Sequence, residues 1–201
     1  MDGVSYCLVS SHLEANTELY AVRVDEFQRL TTLPGFSDAS TRILEHEYRS
    51  LSSSRPLASL CPASHRLSSL MAPFLSLRSV VLWLGDLNMR VETLARSAVL
   101  SAVAARDWPL LLQHEQLRRA QSERSAFADF VEGELAFAPS YKYDPDTDRY
   151  DTSEKARAPA WCDRVLWRSA RVRYAATHYG VVTELRMSDH KPVVAVVVAK
   201  R

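Results

Sequence analysis

The sequence predicts an α+β fold, and three observations carry that expectation. Apolar runs of strand length stand at residues 80–84 and 193–198. Apolar side chains recur at helical spacing across 19–30, 95–105 and 110–130. Strands and helices alternate along the chain, and 47% hydrophobic residues over 201 positions are enough for a substantial core.

The first strand is read at 4–9, where Val4, Tyr6 and Leu8 alternate with Ser5, Cys7 and Val9, and it stops at Ser10-Ser11-His12. A helix is expected next. Leu19, Val22, Phe27 and Leu30 share one face, Glu18, Arg23, Glu26 and Arg29 cover the other, and Pro34-Gly35 ends it. Residues 50–79 hold ten serines, three prolines and no acidic residue, a loop composition despite scattered leucines. This stretch is read as a poorly ordered insertion without chemistry, although Arg55, Arg66 and Arg78 could meet an acidic surface. After the strand at 80–84 come two packing helices, 95–105 and 110–130, separated by Asp107-Trp108-Pro109. The stretch 137–168 carries few helix formers and delivers the chain into a strand at Val165-Leu166-Trp167. The last strand, 193–198, is entered through MSDHKPV, and its continuous valines predict full burial.

Charge and cysteines exclude several classes. With 25 Lys+Arg against 24 Asp+Glu there is no global field to gather nucleic acid or an anionic membrane, so anion binding must be local. Cys7, Cys61 and Cys162 form no C-x-x-C pair and no even framework, which fits a reducing compartment. No run of about 18 apolar residues exists, and Met1-Asp2-Gly3 lacks a basic signal-peptide start. A cytoplasmic protein without a transmembrane segment is expected.

The polar groups fall at strand ends. His12 and the Asp86/Asn88 pair lie just past the C-terminal ends of their strands, whereas Asp163 and Asp189-His190 lie just before the N-terminal ends of theirs. In an antiparallel arrangement those ends form one rim. Each residue alone has a duller explanation: Asp86 as a turn cap, Asn88 as a left-handed residue, His12 as a core histidine, Asp163 as a partner of Arg164. Their joint placement is what a metal-assisted hydrolytic site needs.

LWLGDLNMRVE, FAPSYKYDPDTDRYDTSEKARAPAWCDRVLWR and MSDHKPV, in this order, resemble the inositol polyphosphate 5-phosphatases of the endonuclease/exonuclease/phosphatase superfamily. SSHLEA is similar to the family's histidine-bearing strand end. LLQHEQLRRA and FADFVEGELAF resemble the helical stretch before the signature, and RAPAWCDRVLWR leans toward the type II branch. The resemblance implies a four-layer α/β/β/α sandwich. It spans roughly the second half of such a domain, from about His12 onward, interrupted by the serine-rich insertion. The N-terminal half, with the asparagine and glutamate that serve the metal in the family, would be missing, leaving sheet edges and apolar faces uncovered and the chain prone to associate.

The resemblance also implies roles. Asp86 would accept a proton from the attacking water, which Asn88 would orient. His190, steadied by Asp163, would contact the scissile phosphate, and His12 would donate to a phosphoryl oxygen. Asp189 would lie near a divalent cation, magnesium in the family, that neutralises developing charge. Tyr141, Lys142, Lys155 and Arg157 would bind the phosphate next to the scissile one, which implies a 4,5-bisphosphorylated inositol ring. The implied function is magnesium-dependent removal of the 5-phosphate from phosphatidylinositol 4,5-bisphosphate and related inositol phosphates. The partners would be phosphoinositide lipids at a membrane surface, reached by peripheral association, or soluble inositol polyphosphates, and not nucleic acid. A nuclease on the same fold and an inert or merely phosphoinositide-binding fragment are the alternatives. The charged loop 142–157, taken by its charges alone, would be a solvated surface run.

Two patterns are decoys. Asp144, Asp146 and Asp148 begin like a calcium loop, but Arg149 stands where glycine is required and Lys155 where glutamate is required. Cys162 and Arg168 match C-x5-R, yet no glycine lies between them to let the backbone curl around a phosphate. No Walker loop and no G-x-S-x-G elbow is present.

Overall fold

The structure, a computed structural model, describes residues 5–32, 79–169 and 172–200. The expectations placed on Pro34-Gly35, Cys61 and 50–78 lie outside them. The N-terminal alternating stretch and the apolar run before Asp86 become β1 (Ser5–Ser10) and β2 (Ser79–Asp86), which pair in parallel with Val9 opposite Trp83. Between them in sequence come a single 3-10 turn, Thr17–Leu19, and α1 (Tyr20–Thr32). After β2 follow α2 (Arg96–Ala105), α3 (Trp108–Gln113) and α4 (Gln116–Ser122). The strands then resume with β3 (Val131–Glu132), β4 (Asp163–Ser169), β5 (Tyr174–Val181) and β6 (Val193–Ala199). One sheet runs in the order β1-β2-β4-β3, with β4 antiparallel to both neighbours, and β5 with β6 forms a second, two-stranded sheet. The α+β expectation is borne out.

Alternation sorts the first sheet into two faces. Cys7, Val9, Val81, Trp83 and Leu166 point to the helices, where Phe27, Phe127 and Phe130 surround Trp83 with ring centroids 5.1, 5.2 and 5.8 Å away. The second sheet meets the first at β4. Trp167 Nε1 donates to the Tyr174 carbonyl at 3.3 Å, and the Val165 N–H donates to the Tyr179 hydroxyl at 3.2 Å. A second cluster, Val91, Val99, Ala102, Leu111, Leu135 and Trp161, packs α2 and α3 beneath the signature loop.

Four expectations need correction. The helix read over 110–130 is α3, a break, α4 and a turn. At the break Val91 forms an antiparallel bridge with Glu115, and the Gln116 N–H donates to the Arg90 carbonyl at 2.9 Å, so backbone pairing with another segment replaces helical bonding. Arg23, assigned to the polar face of α1, is fully buried. Its guanidinium donates through Nη1 and Nη2 to the carbonyls of Glu14, Asn16 and Thr17 and to the Gln116 side chain, which offsets its burial although Nε has no hydrogen-bond partner. β6 is not buried on both faces: Val194, Val196 and Val198 are 39%, 48% and 39% exposed, because no described residue covers that side. The short β3 and the whole of β5 were not anticipated, since neither carries the apolar density of a buried strand.

Candidate active site

Asp86 ends β2 and Asp163 begins β4, and the two are direct partners in the antiparallel ladder. The rim expected from strand ends therefore exists, with both carboxylates inside the strands rather than beyond them. His12 reaches the same rim because the parallel pairing of β1 and β2 continues past β1. The Ser11 N–H donates to the Leu84 carbonyl at 3.0 Å, and the Leu13 N–H to the Asp86 carbonyl at 2.9 Å. Gly85 makes this approach possible: it sits at φ +131°, and a Cβ there would lie 2.0 Å from the Ser11 carbonyl oxygen. His12 Nε2 thus comes to 3.3 Å from Asp86 Oδ2.

The loop after β2 repeats the strand logic in tighter form. Leu87, Met89 and Val91 enter the two apolar clusters, while Asp86, Asn88 and Arg90 alternate with them as polar groups. Asn88 takes a left-handed φ of 51°, and its N–H donates to Asp86 Oδ1 at 2.9 Å, fixing the carboxylate's rotation. Its own carboxamide is engaged on both ends. Nδ2 donates to the Leu13 carbonyl at 2.8 Å, and Oδ1 accepts from Arg90. Asn88 therefore ties the His12 loop to the Asp86 loop. Arg90 also lies over the Tyr141 ring at 4.3 Å from its centroid.

On the other side of the rim, His190 Nδ1 is 2.9 Å from Asp163 Oδ2, and His190 Nε2 is 3.9 Å from Asp86 Oδ2. The Ser140 hydroxyl, buried, donates to the same Asp163 oxygen at 2.7 Å. Tyr141 flanks the imidazole with ring centroids 4.6 Å apart. Burial disfavours a charged imidazole, but the bond to Asp163 and the charges of Asp163, Asp86 and Asp189 outweigh it, so His190 titrates above the ordinary histidine value. Asp86 is raised from the ordinary aspartate value, chiefly by burial and then by the facing charge of Asp163, with His190 and His12 pulling the other way.

Asp86, Asp163 and His190 offer ligand atoms within 4.8 Å of one another, the one such group among the described residues. Two facing carboxylates are a fitting donor set for a hard divalent cation. Asp189, expected near the metal, has its carboxylate 3.1 Å from Lys142 Nζ and is not in this group. That bond holds the Lys142 ammonium above its ordinary value.

The signature loop braces itself. Tyr143 and Tyr150 stack at 4.4 Å and both donate to the Pro139 carbonyl at 3.0 Å. Asp144 accepts from Thr152, and Asp151 accepts from the N–H groups of Ser153 and Arg157. With those carboxylates bonded to the loop's own backbone and hydroxyls, Asp148 turned to Lys191 and Arg186, no calcium cage forms. Tyr141 is at the site beside His190; Arg157 reaches across to Asn16 at 2.9 Å; Lys155 is exposed. The Cys162 thiol is fully buried and pushed well above its ordinary value by that burial, and Arg168 pairs with Asp129, so the C-x5-R spacing is accidental. Arg164, considered as a partner for Asp163, points to the opposite face of β4 and pairs there with Glu115 and Glu132. Ser140, Arg90, Gln116 and Asn16 were missed by sequence reasoning. Only Ser140 gave a signal, standing directly before Tyr141 in the signature.

A family model described as endonuclease/exonuclease/phosphatase family 2 matches residues 1–196. A type II inositol 1,4,5-trisphosphate 5-phosphatase of Mus musculus is 36% identical over 196 residues, covering 98% of this chain and 17% of that protein. Among solved structures, the inositol polyphosphate 5-phosphatase domain of a synaptojanin, in complex with inositol (1,4)-bisphosphate and calcium ion, superposes with a TM-score of 0.68. It is 27% identical and covers 97% of this chain and 48% of its own. A Cimex nitrophorin ferrous NO complex gives a TM-score of 0.56 at 32% identity, covering 61% of this chain and 42% of that one. The chain thus spans less than half the length of each of these relatives.

Proposed function

The chain belongs to endonuclease/exonuclease/phosphatase family 2, and on that footing we propose that it is part of the catalytic domain of an inositol polyphosphate 5-phosphatase. The observation that carries this reading is the meeting of His12, Asp86, Asp163 and His190 on one rim, with His12 3.3 Å and His190 3.9 Å from Asp86 and His190 2.9 Å from Asp163, and with the signature loop packed against His190 through Tyr141. Residues 1–201 would form one partial catalytic domain, with 50–79 as a serine-rich insertion within it.

In this reading a water attacks phosphorus in line while Asp86 takes its proton, the bond from phosphorus to the inositol 5-oxygen breaks as the new P–O bond forms, and the leaving oxygen takes up a proton from solvent. With the Nδ1–H of a protonated His190 donating to Asp163, its Nε2–H would donate to the phosphate, and His12 would donate to a second phosphoryl oxygen. Asn88 acts by holding Asp86 and the His12 loop in register. A divalent cation, magnesium by preference, would be held by Asp86 and Asp163 with Asp189 nearby, and it would offset negative charge on the phosphoryl oxygens. Tyr141, Lys142, Lys155 and Arg157 would bind the neighbouring phosphate of a 4,5-bisphosphorylated ring. Lipid substrates at a cytoplasmic membrane surface fit the turn between β5 and β6, where Leu185 and Met187 are 45% and 78% exposed close to Asp189 and His190. No helix among the described residues is long and apolar enough to cross a membrane.

The test is magnesium-dependent phosphate release from phosphatidylinositol 4,5-bisphosphate by this chain and by Asp86→Ala. Loss of the base should cost at least about a hundredfold. Equal release from both would overturn the reading. The likeness to a nitrophorin solved as a ferrous NO complex, at 32% identity over 61% of this chain, favours one second reading, a ligand-binding member. Inositol bisphosphate binding by a parent chain that releases no phosphate would select it.

A further inference from the structure

Asn16 lies four residues past His12 with a φ of 76° and ψ of 141°, a conformation that non-glycine residues seldom hold. It occupies the N-cap of the turn Thr17–Leu19, where an asparagine oxygen ordinarily accepts a backbone N–H, yet it makes no such bond. Its Oδ1 instead accepts from Arg157 Nη2 at 2.9 Å, across 141 residues of sequence.

Both ends of that bond are anchored. On one side the Asn16 carbonyl accepts from Arg23 Nη1 at 2.6 Å, and Arg23 is fully buried. On the other, the Arg157 N–H donates to Asp151 Oδ2 at 2.8 Å, while the Arg157 and Asp151 carbonyls accept from Arg96 at 3.3 and 2.5 Å. A guanidinium on such a mount loses little rotamer freedom when it meets a ligand, and its remaining N–H groups keep a fixed direction.

We propose that Asn16 is a positioning residue for Arg157, and through it a determinant of selectivity for a ring phosphate adjacent to the hydrolysed one. This rests on the reading above that Arg157 meets substrate. The juxtaposition that carries it is an asparagine whose capping oxygen is given to a substrate-loop arginine, with the backbones of both residues independently pinned.

The experiment compares kcat/KM for short-chain phosphatidylinositol 4,5-bisphosphate with that for short-chain phosphatidylinositol 5-phosphate, in the parent chain, Asn16→Gly, Arg157→Ala and the double variant. Glycine suits the positive φ, so Asn16→Gly deletes the carboxamide and keeps the turn. The ratio of the two constants should fall about fivefold in Asn16→Gly, the factor for losing the pre-ordering of one long side chain, mainly through KM for the bisphosphate. It should fall further in Arg157→Ala, and Asn16→Gly should add nothing in that background. A merely structural role would lower both constants together and leave the ratio alone. An unchanged ratio in Asn16→Gly, or an equal drop with Arg157 absent, overturns the proposal while leaving the phosphatase reading intact. A parent chain that hydrolyses neither lipid overturns both.

Discussion

Replacing Arg164 with methionine should destabilise this chain more than any surface substitution, and the geometry sets the size of the effect. Arg164 Nε and Nη2 each donate to the Glu132 carboxylate at 2.6 Å, and Nη1 donates to Glu115 at 2.9 Å. All three side chains are fully excluded from solvent at 0% exposure. Burial works against the charged guanidinium, yet the two carboxylates outweigh it and hold its proton more tightly than usual. Arg164→Met keeps the apolar stem and removes the charge, which strands two carboxylates in the interior. Breaking a buried pair from one side costs about 3–5 kcal/mol. In a chain of this size that corresponds to a melting temperature roughly 6–20 °C lower.

The assay is thermal unfolding followed by circular dichroism at pH 7, with urea unfolding as a second measure. The control adds Glu115→Gln and Glu132→Gln to Arg164→Met. The amides keep acceptors for the Arg118 N–H and the Tyr179 hydroxyl but carry no charge. If stranded charge is the cause, the triple variant recovers at least half of the loss. A single variant melting within about 2 °C of the parent, or a triple variant no better than the single one, would refute the reasoning.

Three further outcomes are expected. Gly85→Ala should cost more than about 2 kcal/mol in urea unfolding, since the new methyl meets the Ser11 backbone and the φ is positive; an unchanged midpoint would count against the close approach of β1 to β2. His190 should titrate above 6.5 in the metal-free chain, so its contribution to stability is full below that pH and fades as pH rises through the higher folded value. A ring-proton NMR titration with a midpoint at or below 6.5, or one that does not move down in Asp163→Asn, would contradict this. The chain should self-associate through Tyr6 and Leu8 on edge strand β1, 65% and 67% exposed, and through Val194, Val196 and Val198 on β6. Sedimentation velocity should show this and should show less of it in Val196→Thr/Val198→Thr; a parent chain monomeric at every concentration would rule it out.

The rim was legible because strand ends are written locally. Apolar runs at 80–84 and 165–167 place Asp86 just past one strand and Asp163 just before another, and the antiparallel ladder, which extends two residues further, pairs the two directly. The α+β layout followed for the same reason. What stayed illegible depends on partners far along the chain. Ser140 meets Asp163 across 23 residues, Arg23 meets Gln116 across 93, and periodicity assigned Arg23 to solvent because it registers side-chain type and not the carbonyls waiting opposite.

The valines of β6 show the complementary error. A run of β-branched residues reports that a strand is favoured, but burial on both faces also needs a layer on each side, and no described residue covers the second face of β6. The signature loop errs in the other direction: by charge count it reads as a solvated run, whereas Asp144 and Asp151 are turned onto the loop's own N–H groups and hydroxyls and Asp148 onto Lys191 and Arg186. That leaves Lys155 exposed and Arg157 directed at Asn16 by a bond between neutral and charged partners, one that weakens the cation far less than a carboxylate would. Lys142, by contrast, is compensated by the Asp189 carboxylate 3.1 Å away, so the loop's cations differ in how far their charge is met.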